Sequence, residues 1–294
     1  MASLSRFQQF ALLALLVSGC LHLLLWSAGE QAWEGPTSFR KPALFGISTG
    51  LTLWSCLWVS HLLRPSKWLH WSTFVLTSAL LVEVGLITLQ AWRGEPSHFN
   101  RRTPVDASIE TTLLILITVA SLIIFWLNAV VLRRDELINL APPMRLATRA
   151  GLSLLSISCL LGFLITFVGT QQLAAGNSPE TLPPRGVLKF PHGAALHAIQ
   201  TLVLLAWLAN RIGSRWPRAV VWLAIAGHVL GLLFALAQTF RGRSRFELDL
   251  PAVMLLTATL LALLSSAILL ALRKQSVLPN KNQLPTEQFG GISR

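Results

Sequence analysis

Two polar stretches contain most of the side chains in this sequence that could bind a ligand or carry out chemistry. Each stretch borders a long apolar run. Imidazoles and carboxylates that converge can hold a metal ion with an open position for water, and with amide groups they can also bind a small polar ligand. The residues concerned are His98, Asn100, Asp106 and Glu110 in the first stretch, and His192, His197 and Gln200 in the second.

The spacing of the two histidines in the second stretch argues against a compact metal site. Residues five positions apart on an α-helix lie about 140° apart around its axis. His192 and His197 can therefore face one metal ion only if residues 191–193 are not helical. A metal-dependent membrane enzyme that uses these histidines with His98 and a carboxylate is one alternative. Walker, GxSxG, HExxH and dinucleotide-binding motifs are absent, and the sequence leaves open whether the protein is an enzyme.

A different pair of imidazoles suggests a redox cofactor. His22 and His197 both lie roughly a turn and a half from the outer ends of their apolar runs. Two neutral imidazoles at matching depth on facing helices can ligate a haem iron, and Arg93 and Arg241 at the same membrane face could meet the haem propionates. Haem b binding is thus one hypothesis. The other is that His22 hydrogen-bonds a neighbouring helix, the usual role of a single membrane histidine.

Two ionisable side chains lie much deeper in the apolar runs. Glu83 and His228 are each about ten residues from the outer end of a run, near the middle of a bilayer. Glu83 is the only carboxylate in the interior of a predicted span, because Glu110 lies at the very start of its span. A charge at the depth of Glu83 costs ~2.5 kcal/mol or more on insertion scales. The two residues predict a proton relay, and with it a small-molecule or proton-coupled transporter.

The composition indicates an integral membrane protein. Hydrophobic residues make up 53% of the 294-residue chain, charged residues only 12%, and the mean hydropathy is +0.60. A soluble core cannot cover that much apolar surface, so a lipid bilayer is the expected partner. The net charge is +12, but the Lys and Arg residues form short clusters between apolar runs, as topology signals do. We therefore expect no nucleic-acid partner, and the sequence does not predict the oligomeric state.

Eight apolar runs, each near the ~20 residues that cross a bilayer, predict an all-α polytopic transmembrane bundle. Fourteen Lys and Arg residues on the N-terminal side of the membrane outnumber ten on the other side. This bias predicts a bacterial inner-membrane protein with both termini cytoplasmic. The first run resembles a signal peptide, but we expect it to be retained as a span. The predicted spans are 8–28, 43–63, 68–92, 109–132, 147–168, 193–210, 217–238 and 251–272.

The second half of the chain repeats features of the first. The segment QAWRG at 90–94 and the segment QTFRG at 238–242 each close an apolar run, and they lie 148 residues apart. We therefore predict a parallel duplication of a four-helix unit. Because the polar stretches belong to different halves but to one membrane face, they predict one composite site between the halves. The predicted divisions are a first half at 1–140, a second half at 141–275 and a disordered cytoplasmic tail at 276–294.

The two polar stretches also carry a resemblance to other proteins. The pattern WRG-xx-SHFN from Trp92 and the pattern PHG-xxx-HA-x-Q from Pro191 resemble those of a group of uncharacterised bacterial multi-spanning proteins. The resemblance implies a membrane location and a joint role for the two stretches, but no activity. The sequence thus predicts an outer-face, histidine-containing site that binds a small ligand or a redox cofactor such as haem b or a quinone. A transporter and a metal-dependent enzyme are the alternatives.

Overall fold

Long apolar helices make up most of the described chain. The computed structural model describes residues 4–29, 35, 37–133, 137 and 139–272. Within these residues, eight helical segments are long and apolar enough to cross a membrane, so the predicted all-α polytopic bundle is confirmed. The predicted tail at 276–294 lies outside the described residues.

The eight segments contain nine helices in the described residues, because the sixth segment is interrupted. A two-stranded antiparallel ribbon, β1 at Thr181–Leu182 and β2 at Gly186–Val187, lies in the loop before that segment. The helices are α1 at Arg6–Ala28, α2 at Arg40–Leu62, α3 at Lys67–Trp92, α4 at Pro104–Leu132, α5 at Pro142–Ala174, α6 at Lys189–Leu196, α7 at Ala198–Arg211, α8 at Pro217–Phe240 and α9 at Leu250–Ala271.

Capping and proline positions explain why some helices extend beyond the predicted spans. Helix α4 begins at Pro104 rather than at 109, because the hydroxyl of Thr103 accepts the backbone N–H of Asp106 and Pro104 occupies the first turn. Helix α5 likewise begins with proline and runs to Ala174, six residues beyond the predicted limit at 168. These additions are polar first and last turns, which hydropathy alone does not mark as helix.

The sixth span is broken at His197, a feature that the sequence did not predict. Residues 191–193 are helical, because Pro191 occupies the first turn of α6, where its missing N–H is tolerated. His197 then leaves helical geometry, with φ −99° and ψ 13°, and α7 starts at the next residue. The condition under which His192 and His197 could share one metal ion is therefore not met.

Glycines allow close contact between the first two helices. A Cβ atom on Gly46 of α2 would lie 2.7 Å from the Cα atom of Gly19 and 2.7 Å from the carbonyl oxygen of Leu15, both on α1. The two backbones touch at this crossing, as small residues permit in membranes. In the second half, Gly151 of α5 makes a similar approach to Ile199 of α7.

The two predicted halves share one apolar core. The largest cluster of buried side chains includes members from α2, α3, α4, α5 and α7, so it crosses the predicted boundary at residue 140. The division of the chain at that point stays a prediction. Representative fully buried members are Leu57, Leu76, Leu127, Leu155 and Ile199.

The C-terminal ends of α3 and α8 have the same turn geometry. Gly94 and Gly242 have φ values of 68° and 65°, and the residue after each glycine donates its N–H to the carbonyl four residues before the glycine, at 2.9 Å. The amides of Gln90 and Gln238 also donate to loop carbonyls six residues later. Roughly a third to a half of all helices end in a left-handed residue, so this match does not test the duplication, which stays a prediction.

The orientation of the bundle can be tested with reporter fusions. Because Lys and Arg favour the N-terminal side, we expect a reporter that is active only in the periplasm to be silent after Arg294 and active near Ser178, between α5 and α6. Enzyme activity of the two fusions, normalised to their protein levels, provides the measurement. The opposite pair of results would invert the proposed topology.

Candidate functional site

Asp106 ties the outer end of α3 to the start of α4. Its carboxylate is 2% exposed and accepts hydrogen bonds from Gln90 at 3.0 Å, Arg93 at 3.1 Å and the hydroxyl of Thr103 at 2.6 Å. All these donors lie within the first half. Arg93, a predicted partner of haem propionates, is thus held by Asp106, and both residues stabilise the outer loop in this structure.

Three further predicted site residues make contacts with residues close to them in the chain. Asn100 donates to the carbonyl of Pro96 at 3.1 Å, and Glu110 accepts from Arg101 at 3.2 Å. Arg241 donates to Asp249 at 2.6 Å, and this hydrogen bond holds the pKa of Asp249 below its usual value. These contacts explain the polar residues of the outer loops without any ligand.

Both ring nitrogens of His22 form hydrogen bonds with protein groups. Its Nδ1–H donates to the carbonyl of Ser18 at 2.7 Å, and its Nε2 accepts from the indole N–H of Trp92 at 2.9 Å. The side chain is 3% exposed and also packs edge-on against Phe39. Neither ring nitrogen is free to ligate iron in this arrangement, so the geometry favours the packing interpretation over the axial pair with His197.

His192 holds α6 against α5. Its Nδ1–H donates to the carbonyl of Ser158 at 2.8 Å, and the hydroxyl of Ser158 donates to the carbonyl of His192 at 2.9 Å. This reciprocal pair belongs entirely to the second half, and it places His192 at an interhelical contact.

His197 lies at the boundary between the predicted halves. Its Nε2 is 3.1 Å from the hydroxyl oxygen of Ser48 on α2. Thr52 and Gln200 follow these two residues by one helical turn in the inward direction, and each has a buried polar side-chain atom without a hydrogen-bond partner in the described chain. Polar side chains of α2 and of the sixth span therefore lie close to the break at His197.

Glu83 lies deeper, in the shared core. Its side chain is 4% exposed, and Oε2 has no hydrogen-bond partner among the described residues. Cys159 of α5 lies within electrostatic range of Glu83. Glu83 thus faces a helix of the second half.

His228 lies on α8 and is linked to His197 through Thr201, whose hydroxyl lies 3.2 Å from the carbonyl oxygen of His197. Its Nε2 is 2.7 Å from the hydroxyl oxygen of Thr201 on α7. On its other side is an apolar cavity of about 400 Å³ between α6, α8, α9 and the loop before α9. The predicted relay between His228 and Glu83 has no hydrogen bond that joins them in the described structure.

His98 lies near the contact between the two predicted halves, where Ser48 and His197 also lie; this contact is called the half boundary below. The neighbours of His98 were not predicted as site residues. Its ring lies 6.0 Å from that of Phe45 on α2, and its Nδ1 is 2.9 Å from the hydroxyl oxygen of Ser97. Burial, reinforced by the charges of Lys41 and Lys189, lowers the pKa of His98 to about 3. A signal was available in the sequence, since the two lysines lie 148 residues apart.

Glu180 completes this group of charges. It pairs with Lys189. Burial alone would raise the pKa of Glu180, but the hydrogen bond from Lys189 and the charge of Lys41 bring it below its usual value. The carboxylate is therefore ionised; it pairs with Lys189 and also feels the charge of Lys41.

The structure thus brings together only part of the predicted site. His98, His197, Gln200 and Glu83 lie along the half boundary, whereas the other candidates stabilise loops or helix pairs. Among the described residues, no group of three His, Cys, Asp or Glu side chains could hold a metal ion. The chain matches no protein-family model, no curated protein and no solved structure, so the resemblance of its two polar stretches to uncharacterised bacterial membrane proteins stays a prediction.

Proposed function

We propose that the protein is a proton-coupled carrier of a small polar solute in a bacterial inner membrane, with Glu83 as the group that takes up and releases the proton. The observation that carries this proposal is the buried carboxyl group of Glu83, whose Oε2 lacks a partner in the described chain. An unsatisfied polar group inside a membrane protein costs several kcal/mol. Intramembrane carboxyl groups are accordingly rare, and they mark proton and substrate pathways.

We infer that the route to Glu83 begins at polar groups along the half boundary. Ser48 and His197 contact each other across the boundary, and Thr52 and Gln200 lie one turn further in. Buried polar atoms that lack protein partners are sites where water or a polar ligand can bind. A polar seam between two helical halves is also where many secondary transporters bind their substrates.

The other two hypotheses receive less support. The haem hypothesis needs a free nitrogen on His22, and both of its nitrogens are hydrogen-bonded. The metal-enzyme hypothesis needs His98, His192 and His197 to converge with a carboxylate. His192 instead pairs with Ser158, and the two candidate carboxylates pair with Arg93 and Arg101.

The carrier hypothesis can be tested with the purified full chain in liposomes that enclose a pH-sensitive dye. Inward gradients of inorganic phosphate, succinate, a neutral amino acid and a sugar are imposed in turn, at constant ionic strength. We expect at least one gradient to change the internal pH faster than in protein-free liposomes, because solute entry carries protons with it. If all four gradients give the rate of protein-free liposomes, the carrier proposal is contradicted.

A further inference from the structure

We infer that the cavity between α6, α8 and α9 binds one acyl chain of an anionic phospholipid, whose phosphate group is held by Arg245 at the mouth of the cavity. The cavity has a volume of about 400 Å³, within the usual range for ligand sites in proteins. The inference goes beyond the carrier proposal and does not depend on it, because no residue of the route to Glu83 lines this cavity.

The cavity extends from the membrane surface towards the middle of the bilayer. Its lining includes Arg245 and Phe246 in the loop after α8, and His228 inside that helix. His228 lies twelve residues before Phe240, the last residue of α8, which corresponds to ~18 Å along the helix axis. One leaflet contributes ~15 Å of the ~30 Å hydrocarbon layer. The depth of the cavity therefore matches that of an acyl chain in one leaflet.

Small residues leave this space between the helices. Gly227 of α8 is in close contact with α9, since a Cβ atom there would lie 2.5 Å from Cδ2 of Leu263. One turn nearer the mouth, the atom nearest to a Cβ on Gly231 would be Cγ2 of Thr259, at an ordinary contact distance of 3.5 Å. Ala194 of α6 adds a third small side chain to the lining. The groove thus opens towards the mouth, and its largely apolar wall favours hydrocarbon over a polar solute.

Arg245 provides a positive charge at the mouth. Its guanidinium carbon lies 5.8 Å from the centre of the Phe190 ring, which belongs to the cavity wall. Two other arginines of the loop hold its Asp249, since Arg241 and Arg243 each lie 2.6 Å from Oδ2 of that residue. Arg245 makes no ion pair with any residue that the structure describes. Because arginine binds phosphate groups through two parallel hydrogen bonds, an anionic headgroup complements this charge.

Exposed apolar side chains place the mouth in contact with lipid. Phe246 is 90% exposed and Leu248 is 51% exposed, and both lie in the same loop as Arg245. Basic and aromatic residues together are typical of the boundary between a bilayer and water. A phospholipid fits this arrangement, because its chain can enter the cavity from the bilayer while its phosphate stays at the level of the arginine. A free phosphate or carboxylate has no chain to fill the cavity.

Thermal unfolding of the purified full chain in a nonionic detergent tests the site. Dioleoyl phosphatidylglycerol, dioleoyl phosphatidylcholine and dihexanoyl phosphatidylglycerol are added separately, at equal mole fraction. We expect dioleoyl phosphatidylglycerol to raise the midpoint most, because a ligand that binds only the folded state stabilises it. The choline lipid has the same chains without the net charge, and the dihexanoyl lipid has the same headgroup on chains too short to fill the cavity.

Two substitutions separate the headgroup from the chain. Arg245→Gln should weaken the affinity for dioleoyl phosphatidylglycerol about tenfold, as expected for the loss of a charge-assisted hydrogen bond, and Arg245→Lys should bind more tightly than Arg245→Gln. Gly231→Leu fills the cavity and should abolish the response to this lipid. The midpoint in detergent alone should not fall, because the new Cβ has room and leucine has a higher helix propensity than glycine.

The matched control is Arg185→Gln, which makes the same change in the loop before α6, at the same membrane face but outside the cavity lining. It should respond as the wild type does. The inference is overturned if no lipid stabilises the protein, if the choline or the dihexanoyl lipid acts as strongly as dioleoyl phosphatidylglycerol, or if Arg245→Gln or Gly231→Leu keeps the full response. Ala194→Leu fills the same cavity from α6 should Gly231→Leu fail to fold.

Discussion

Replacement of Glu83 by glutamine is expected to abolish solute-driven proton uptake while the protein stays folded. Glutamine has almost the same size as the protonated carboxyl group, but it cannot release a proton. The substitution also removes an ionisable group from the bilayer interior, where its Oε2 has no partner in the described chain. We therefore expect the rate of internal pH change to fall to that of protein-free liposomes, with an unchanged elution volume and helical circular dichroism.

Glu110→Gln is the matched control for this experiment. It makes the same chemical change at the outer end of α4, where the carboxylate forms a partly exposed ion pair with Arg101 at 3.2 Å. Exposed pairs of this kind contribute about 0–1 kcal/mol, so transport and stability should change little. Equal rates for Glu83→Gln and the wild type would exclude Glu83 as the proton site, even if the protein proved to be a carrier.

Gly46→Ala is expected to destabilise the bundle more than any other single methyl addition at the contact between α1 and α2. The new Cβ would lie within 2.8 Å of three backbone atoms of α1, which cannot move as a side-chain end can. Overpacking of this kind costs about 1–3 kcal/mol, and more where the backbone must separate. We expect a lower midpoint of thermal unfolding in detergent, together with a lower yield of folded protein.

Gly85→Ala provides the comparison, because it makes the same substitution in the neighbouring helix α3. No atom lies within 4 Å of the Cβ that it would add. Alanine has a higher helix propensity than glycine, by about 1 kcal/mol, so the midpoint should stay the same or rise. If both variants have the same midpoint, the contact of α1 with α2 does not depend on the glycine at 46.

The order and number of the spans could be predicted because hydropathy is a local property of the chain. A run such as 68–92 is apolar whatever it contacts, and the helix found at Lys67–Trp92 differs from it by one residue. Boundaries were less accurate where a helix starts with a polar turn. Asp106 lies inside α4 although the predicted span began at 109, since hydrogen bonding and capping rather than apolar character define that end.

The candidate site was predictable only in part, because contacts between distant residues depend on how each helix is rotated and tilted. The predicted depth of Glu83 follows from its position in a span, and the tertiary structure adds that its side chain is buried. The partner of His22 does not follow from depth, since Trp92 reaches it from another helix, 70 residues away. The equal depths of His22 and His197 in their spans were therefore not enough to predict that both residues ligate one haem.

The sequence by itself determined that this protein is a helical membrane protein with a carboxyl group far inside an apolar run, because both properties arise from composition and from position along single runs. Only the tertiary structure decided which polar groups meet. In the structure, the sixth span is interrupted at His197, and the charges of Lys41 and Lys189 both lie near His98. The physical reason is that an electrostatic or hydrogen-bonded contact requires two helices to present particular faces to each other, and no single run of residues encodes that relation.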